Sequence, residues 1–147
     1  TPGEWEDKVW GRVQHAFAGD LAASASYLET KAGYRCSVHF HRERYNAFLV
    51  VSGRIRVREV YPKDGYAMRD LHAGQLLVVD PYVAHFFSSI EDSIVVETYW
   101  TNDASPPKLD DIVRYDQGGL LNGAEMDREL EEILGWAEIH GCFDDPF

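Results

Sequence analysis

Hydrophobic and polar side chains alternate along much of the chain between residues 26 and 101, as they do on strands with one buried face. About eight short segments show this alternation or a short apolar run, separated by Gly or Pro at intervals of roughly 8–12 residues. The predicted strands are residues 27–31, 34–41, 47–51, 54–61, 68–71, 76–79, 85–88 and 94–100. Many short strands at this spacing favour an all-β sandwich or barrel.

The pattern changes after Trp100. Residues 102–107 read as a linker, and 110–114 as a short extended segment. Apolar residues then recur at helical spacing, which predicts a helix over 124–140 with Asn122 as its N-cap and Gly141 as its end. Its apolar stripe is expected to pack on the barrel or on a sister subunit. Residues 1–24 are mixed and are predicted only as an N-terminal extension.

Composition narrows the function classes. A chain of 147 residues predicts one domain, 1–147, and a net charge of −11 argues against nucleic acid or an anionic membrane as a partner. A small anionic substrate is not excluded, because one local arginine can dominate a pocket. No apolar run approaches the roughly 20 residues that span a bilayer. Cys36 and Cys142 form no disulfide framework, so we expect a reducing cytoplasm and a buried Cys36.

Three histidines carry the clearest chemical signal. On a strand, His39 and His41 lie on one face together with Arg35 and Ser37, so their imidazoles can hold one ion from the same side. His85 follows after a turn and can complete a divalent-metal site. Arg35 is expected either to clamp a phosphate or carboxylate or to form a salt bridge at the barrel mouth.

The surroundings of these histidines resemble the two motifs of the cupin family. Gly33-x5-His39-x-His41-x4-Asn46-x6-Gly53 resembles the first motif, with Asn46 where the family usually has glutamate. The second motif is matched more loosely by the segment from Gly74 to Ser89, in which Asp80-Pro81-Tyr82 precedes His85 and Tyr82 replaces a glycine. The resemblance implies a double-stranded β-helix, or jelly-roll barrel, over about 26–101 with one metal inside.

Three further segments look like those of the cupin-type mannose-6-phosphate isomerases. They are Lys8-Val9-Trp10-Gly11, the stretch from Arg44 to Gly53, and Asp110-Asp111-Ile112-Val113-Arg114. His41 and His85 fit that group, whereas His39 replaces its glutamine and Asn46 its glutamate.

The resemblance implies a homodimer and a divalent ion (zinc, manganese, nickel or iron) held by His39, His41 and His85. Asn46 is the fourth candidate ligand, and the alternatives are a hydrogen-bond donor to a ligand or a purely structural residue. The leading hypothesis is an aldose–ketose isomerase of a small sugar or sugar phosphate. Neutral Asn46 is a poor base, so the catalytic candidates are Glu43, Glu97 and Arg35. Two alternatives stay open: an iron oxygenase with three histidine ligands, and a non-enzymatic protein that binds a small ligand.

Overall fold

Antiparallel strands pack face to face in two sheets in the computed structural model, which describes residues 3–144. In chain order the strands are β1 (Trp5–Lys8), β2 (Gly11–Phe17), β3 (Ala23–Thr30), β4 (Tyr34–Arg35), β5 (His39–Phe40), β6 (Arg44–Ser52), β7 (Arg54–Tyr61), β8 (Gly65–His72), β9 (Leu76–Val79), β10 (Ala84–Ser89), β11 (Ser93–Thr101), β12 (Val113–Arg114) and β13 (Gly119–Leu120). One helix, α1 (Gly123–Ile139), follows them. The predicted all-β jelly-roll class with a C-terminal helix is confirmed.

The strand order explains how distant segments meet inside the molecule. One sheet has the order β1-β2-β3-β11-β6-β9, and the other has β12-β5-β10-β4-β13, with β7 pairing to both β10 and β8. Along β6 the buried side chains of Asn46, Phe48 and Val50 alternate with the exposed Leu49 and Val51. This period of two directs every second side chain into the space between the sheets, where the core and the polar site both lie.

Residues 3–24 contribute more structure than the N-terminal extension that the sequence predicted. They contain β1, β2 and the start of β3, and they extend the first sheet at its edge.

The predicted single strand over 34–41 is wrong in one respect, because β4 and β5 are separated by residues 36–38. The Val38 N–H donates to the Asp116 carboxylate at 2.9 Å instead of to a neighbouring strand. The alternation is interrupted there, since Cys36 and Ser37 both line the internal cavity.

The helix begins and ends within one residue of its prediction. Asn122 Oδ1 accepts hydrogen bonds from the backbone N–H groups of Ala124 and Glu125, at 3.1 and 3.3 Å, as an N-cap should. Met126, Ile133 and Ala137 are buried, and the helix packs on β7 of its own chain. Within the described residues, no helix is long and apolar enough to cross a membrane.

The chain between the predicted linker, 102–107, and the helix runs back along the barrel. In this part β12, at the end of the predicted extended segment 110–114, pairs with β5, and β13 pairs with β4, while the Tyr115 N–H donates to Val38 O at 2.8 Å. Gly118 has φ +82°, and a Cβ there would lie 2.5 Å from Arg35 O, so this turn requires glycine. Residues 108–121, here called the C-terminal strap, therefore lie directly against β4 and β5, and β5 carries His39.

Candidate metal centre and cavity

The three predicted histidines meet between the sheets. His39 in β5 and His85 in β10 are directly paired in register, and His41 follows β5 by one residue. Their ring centroids are 4.5 to 5.5 Å apart, and one nitrogen of each ring lies within 4.8 Å of the other two. All three side chains are buried.

Hydrogen bonds to backbone carbonyls orient each ring. The Nδ1 atoms of His39, His41 and His85 lie 2.8, 2.7 and 2.8 Å from the carbonyl oxygens of Ser37, Asp111 and Val83 respectively. A carbonyl can only accept, so Nδ1 carries the proton in each ring and Nε2 keeps its lone pair. This is the tautomer that a metal ligand needs, with the second-sphere bond that normally accompanies it.

The electrostatics favour neutral rings. Burial lowers the pKa of His39 and of His41 well below the ordinary value, and the neighbouring imidazoles add to the effect. Burial also lowers the pKa of His85 to about 4. Neutral imidazole is the form that coordinates a cation.

The donor set fits a divalent ion. His41 Nε2 is fully buried and has no hydrogen-bond partner among the described residues, a costly arrangement for a polar nitrogen that faces no ion. Three neutral nitrogens suit zinc, iron, nickel or manganese and leave further coordination positions for other ligands.

Asn46 lies beside the histidines, at the base of β6. Its Nδ2 is 3.3 Å from His85 Nε2 and donates to Glu97 Oε2 at 3.1 Å, whereas its Oδ1 is buried and has no hydrogen-bond partner in residues 3–144. The side-chain amide thus connects the histidine group to a carboxylate. Whether Asn46 also binds the ion through Oδ1 remains a prediction.

The three catalytic candidates occupy very different places. Glu43 is exposed in the turn after β5, where its backbone N–H donates to Asp111 Oδ2. Arg35 forms a salt bridge with Asp116, with Nη2 2.6 Å from Oδ2. This corresponds to the salt-bridge interpretation, because the guanidinium is already paired with a carboxylate. Glu97 is buried next to Asn46.

Burial raises the pKa of Glu97, although hydrogen bonds from Tyr99 and Asn46 and the nearby charge of Arg44 act in the opposite direction. A carboxyl with a raised pKa is better suited to proton transfer near neutral pH than an ordinary surface glutamate. Of the three candidates, therefore, Glu97 alone combines a place beside the histidines with suitable acid–base chemistry.

A cavity of about 400 Å³ opens next to the histidines. Its inner wall includes His39, Glu97, Tyr99 and Arg44, and its outer wall includes residues of β1, β2 and the C-terminal strap. This volume falls within the range of small-molecule sites in proteins.

Arg44 and Asp111 position the site, and their roles were not predicted. The Asp111 carbonyl accepts from His41 Nδ1, and its carboxylate accepts from the backbone N–H groups of Arg42, Glu43 and Arg44. Arg44 donates to Lys108 O at 2.8 Å and lies over the Tyr99 ring at 4.0 Å. Its Nε is 3.1 Å from His41 Nδ1, but that nitrogen's proton points at Asp111, so this is a contact between two donors.

Comparisons with known proteins identify the family of this fold. A family profile described as Cupin matches residues 10–110. No curated protein matches the chain.

Solved structures with a similar fold include KdgF from Halomonas sp., with 20% identity, TM-score 0.60, and coverage of 73% of this chain and 89% of that one. An RmlC-like cupin from Shewanella frigidimarina has 24% identity and TM-score 0.60, with 74% and 87% covered. Oxalate decarboxylase from Bacillus subtilis has 14% identity and TM-score 0.64, with 77% and 30% covered, so the chain spans under a third of that protein. At these identities the likeness shows the fold alone.

Proposed function

The chain belongs to the cupin family, and on that basis we propose that it is a metal-dependent aldose–ketose isomerase of a small sugar or sugar phosphate. The observation that carries this proposal is the position of Glu97, a buried carboxylate in the same cavity as His39. An isomerase needs an electrophile at the substrate carbonyl and a base at the adjacent carbon. An ion held by His39 and its neighbours would supply the electrophile, and Glu97 the base.

His39, His41 and His85 would hold the ion, with Asn46 as the fourth candidate ligand. A bound divalent ion would act as a Lewis acid on the substrate carbonyl and the adjacent hydroxyl. Glu97 removes the proton from C2 and returns it to C1, while the hydroxyl proton passes from O2 to O1. The reaction is redox-neutral and needs no co-substrate.

Asn46 has a second role in this scheme. Its Nδ2 bond to Glu97 Oε2 holds the carboxylate in one orientation, and burial keeps bulk water away from it. Replacement of a glutamate ligand by Asn46 removes a base from the ion's immediate shell, and Glu97 supplies one from the neighbouring strand β11.

A matched pair of variants tests the assignment. Metal content is measured by elemental analysis, and isomerisation is followed by NMR as deuterium incorporation from D₂O into hexose and pentose phosphates and the free sugars. We expect Glu97→Gln to lose about 10²- to 10⁴-fold in turnover and to keep its metal and its melting temperature. Glu43→Gln, which removes an exposed carboxylate, should behave as wild type. Equal activity of Glu97→Gln and wild type would remove Glu97 from the mechanism, and absence of exchange with every sugar would refute the isomerase.

One observation favours a second candidate, an iron oxygenase. The candidate ligand set consists of three neutral imidazoles, to which Asn46 would add a neutral amide, and a set without a carboxylate is also compatible with iron. Anaerobic loading with Fe(II), followed by oxygen-consumption measurements on a panel of small acids and sugars, separates the two activities. Iron in the purified protein together with substrate-dependent oxygen uptake would favour the oxygenase. A protein without metal, whose ligand binding survives His39→Ala and His41→Ala, would instead be a non-enzymatic binding protein.

We also propose a homodimer that pairs through the outer face of the first sheet. The supporting feature is an apolar patch on adjacent strands β6 and β9, where Leu49, Val51, Leu76 and Val78 are 38%, 50%, 60% and 41% exposed. Contiguous apolar patches on a sheet face are typical of interaction surfaces. The expected cytoplasmic location stays a prediction.

A further inference from the structure

We propose that the substrate enters the cavity with an oxyanion group bound by Arg114 at the cavity mouth. This assignment rests on the proposed function only in that the cavity is taken as the substrate site. Beyond that function, it assigns a negative charge to the substrate and names Arg114 as the residue that binds the charged group.

Strand register places Arg114 on the correct face. Arg114 in β12 is the direct antiparallel partner of His39 in β5, and directly paired residues project from the same side of a sheet. Both side chains line the cavity, and Arg114 is exposed where His39 is buried. The arginine thus stands at the solvent end of the same cavity whose inner wall includes His39, one of the three candidate metal ligands.

The charges around the cavity differ from those of the chain as a whole. The whole chain has 14 basic and 25 acidic residues. The cavity wall has three basic residues, Lys8, Arg44 and Arg114, against two acidic ones, Glu6 and Glu97. A cavity wall with a net positive charge in an otherwise acidic protein attracts anions locally.

Only one of these three cations is available for a ligand. Lys8 Nζ pairs with Glu6 Oε1 at 2.7 Å. Arg44 is held by Lys108 O and stacks over Tyr99. Arg114 makes no ion pair or side-chain hydrogen bond with any residue in 3–144. A guanidinium presents two parallel N–H groups that match a phosphate or a carboxylate, which makes it the natural receptor for either.

Binding of inorganic phosphate and of acetate, measured by titration calorimetry, tests this assignment without requiring turnover. Measurements on protein stripped with a chelator remove any anion bound directly to the ion. We expect stripped wild type to bind phosphate and Arg114→Gln to bind it at least about tenfold more weakly. Arg114→Lys keeps the positive charge but lacks the two parallel N–H groups of the guanidinium, so it should retain part of the wild-type affinity. The control is Arg128→Gln, which makes the same charge change on the exposed side of α1 and should bind as wild type.

The outcomes are distinct. Equal phosphate affinity in Arg114→Gln and wild type would overturn the assignment, as would phosphate binding that disappears on chelation but is unaffected by Arg114→Gln. Tighter binding of phosphate than acetate identifies a phosphorylated substrate, and the reverse identifies a carboxylate. The anion site can pass this test even if no sugar is isomerised, so its failure and that of the isomerase are separately visible.

Discussion

Replacement of Asp111 by alanine should weaken both the fold and the metal centre, because this residue joins the C-terminal strap to the turn after β5. Its carboxylate accepts three backbone N–H bonds, from Arg42 and Glu43 at 2.9 Å each and from Arg44 at 3.1 Å. Each is worth about 0.5–1.5 kcal/mol net, and two lie where water can substitute, so their joint loss costs about 2–3 kcal/mol. At an unfolding entropy of about 0.3 kcal/mol per degree for 147 residues, the Tm falls by about 6–10 °C.

The effect on metal affinity has a separate origin. The Asp111 carbonyl fixes the tautomer and the orientation of His41 through a 2.7 Å bond, and a displaced strap would release that ring. Loss of such a second-sphere bond typically weakens metal binding about 10- to 100-fold. Competition with a chromophoric chelator measures the affinity, and calorimetry of the stripped protein measures the Tm.

Asp110→Ala is the matched control for this experiment. Asp110 is the adjacent exposed aspartate, it makes no side-chain hydrogen bond with the described residues, and its loss changes the net charge equally. It should leave both quantities within error of wild type. A stripped Asp111→Ala protein with a lower Tm but unchanged metal affinity would show that the strap does not position His41. No change in either quantity would refute the energetic argument altogether.

Three further predictions concern buried and exposed side chains. Ile133→Ala, at a fully buried position of α1, should lower the free energy of unfolding in urea by about 2–5 kcal/mol. Ile139→Ala, at a position 84% exposed, should lower it by less than about 0.5 kcal/mol. Equal losses would mean that the helix does not pack as described. Burial raises the pKa of Cys36 from 9.0 to about 12, so the folded thiol should resist iodoacetamide at pH 8 while the urea-unfolded chain reacts. Because the unfolded chain loses the thiol proton at a lower pH than the folded protein, the free energy of unfolding should fall as the pH rises from about 9 towards 12. Rapid labelling of Cys36 in the folded protein would contradict its burial. Leu76→Lys should shift the dimer to monomer in light scattering, and Met68→Lys, 57% exposed on β8, should not.

The histidine group could be predicted because short-range rules determine most of it. A strand with a period of two puts His39 and His41 on one face, and the motif around His85 adds a second strand at the right place. The structure brings the three rings together as expected. The break at residues 36–38 was not predictable in the same way, because the Asp116 carboxylate that causes it lies 78 residues away from Val38.

The residues that the sequence missed act through long-range contacts. His41 and Asp111 are separated by 70 positions, and the contact uses a backbone carbonyl that any residue type possesses. No periodicity marks such a bond. The sequence did mark this region, because the segment 110–114 resembles a motif of the cupin-type mannose-6-phosphate isomerases. The resemblance did not reveal that Asp111 orients His41. Tyr82, by contrast, could be recognised from the sequence as a departure from the motif, which has glycine there. It adopts φ +62°, a conformation that favours glycine, and its ring stacks on Phe40.

These observations change where the functional unit ends. A barrel that stopped at Trp100 would keep all three histidines, Asn46 and Glu97, and would appear complete from its motifs. It would nevertheless lack the carbonyl that orients His41, the carboxylate that pairs with Arg35, and the arginine proposed to bind the substrate's anion. The barrel therefore supplies the ligands, while the strap supplies their orientation and the mouth of the cavity. Variation within residues 108–121 can consequently alter metal affinity and substrate charge preference without any change to the ligands themselves.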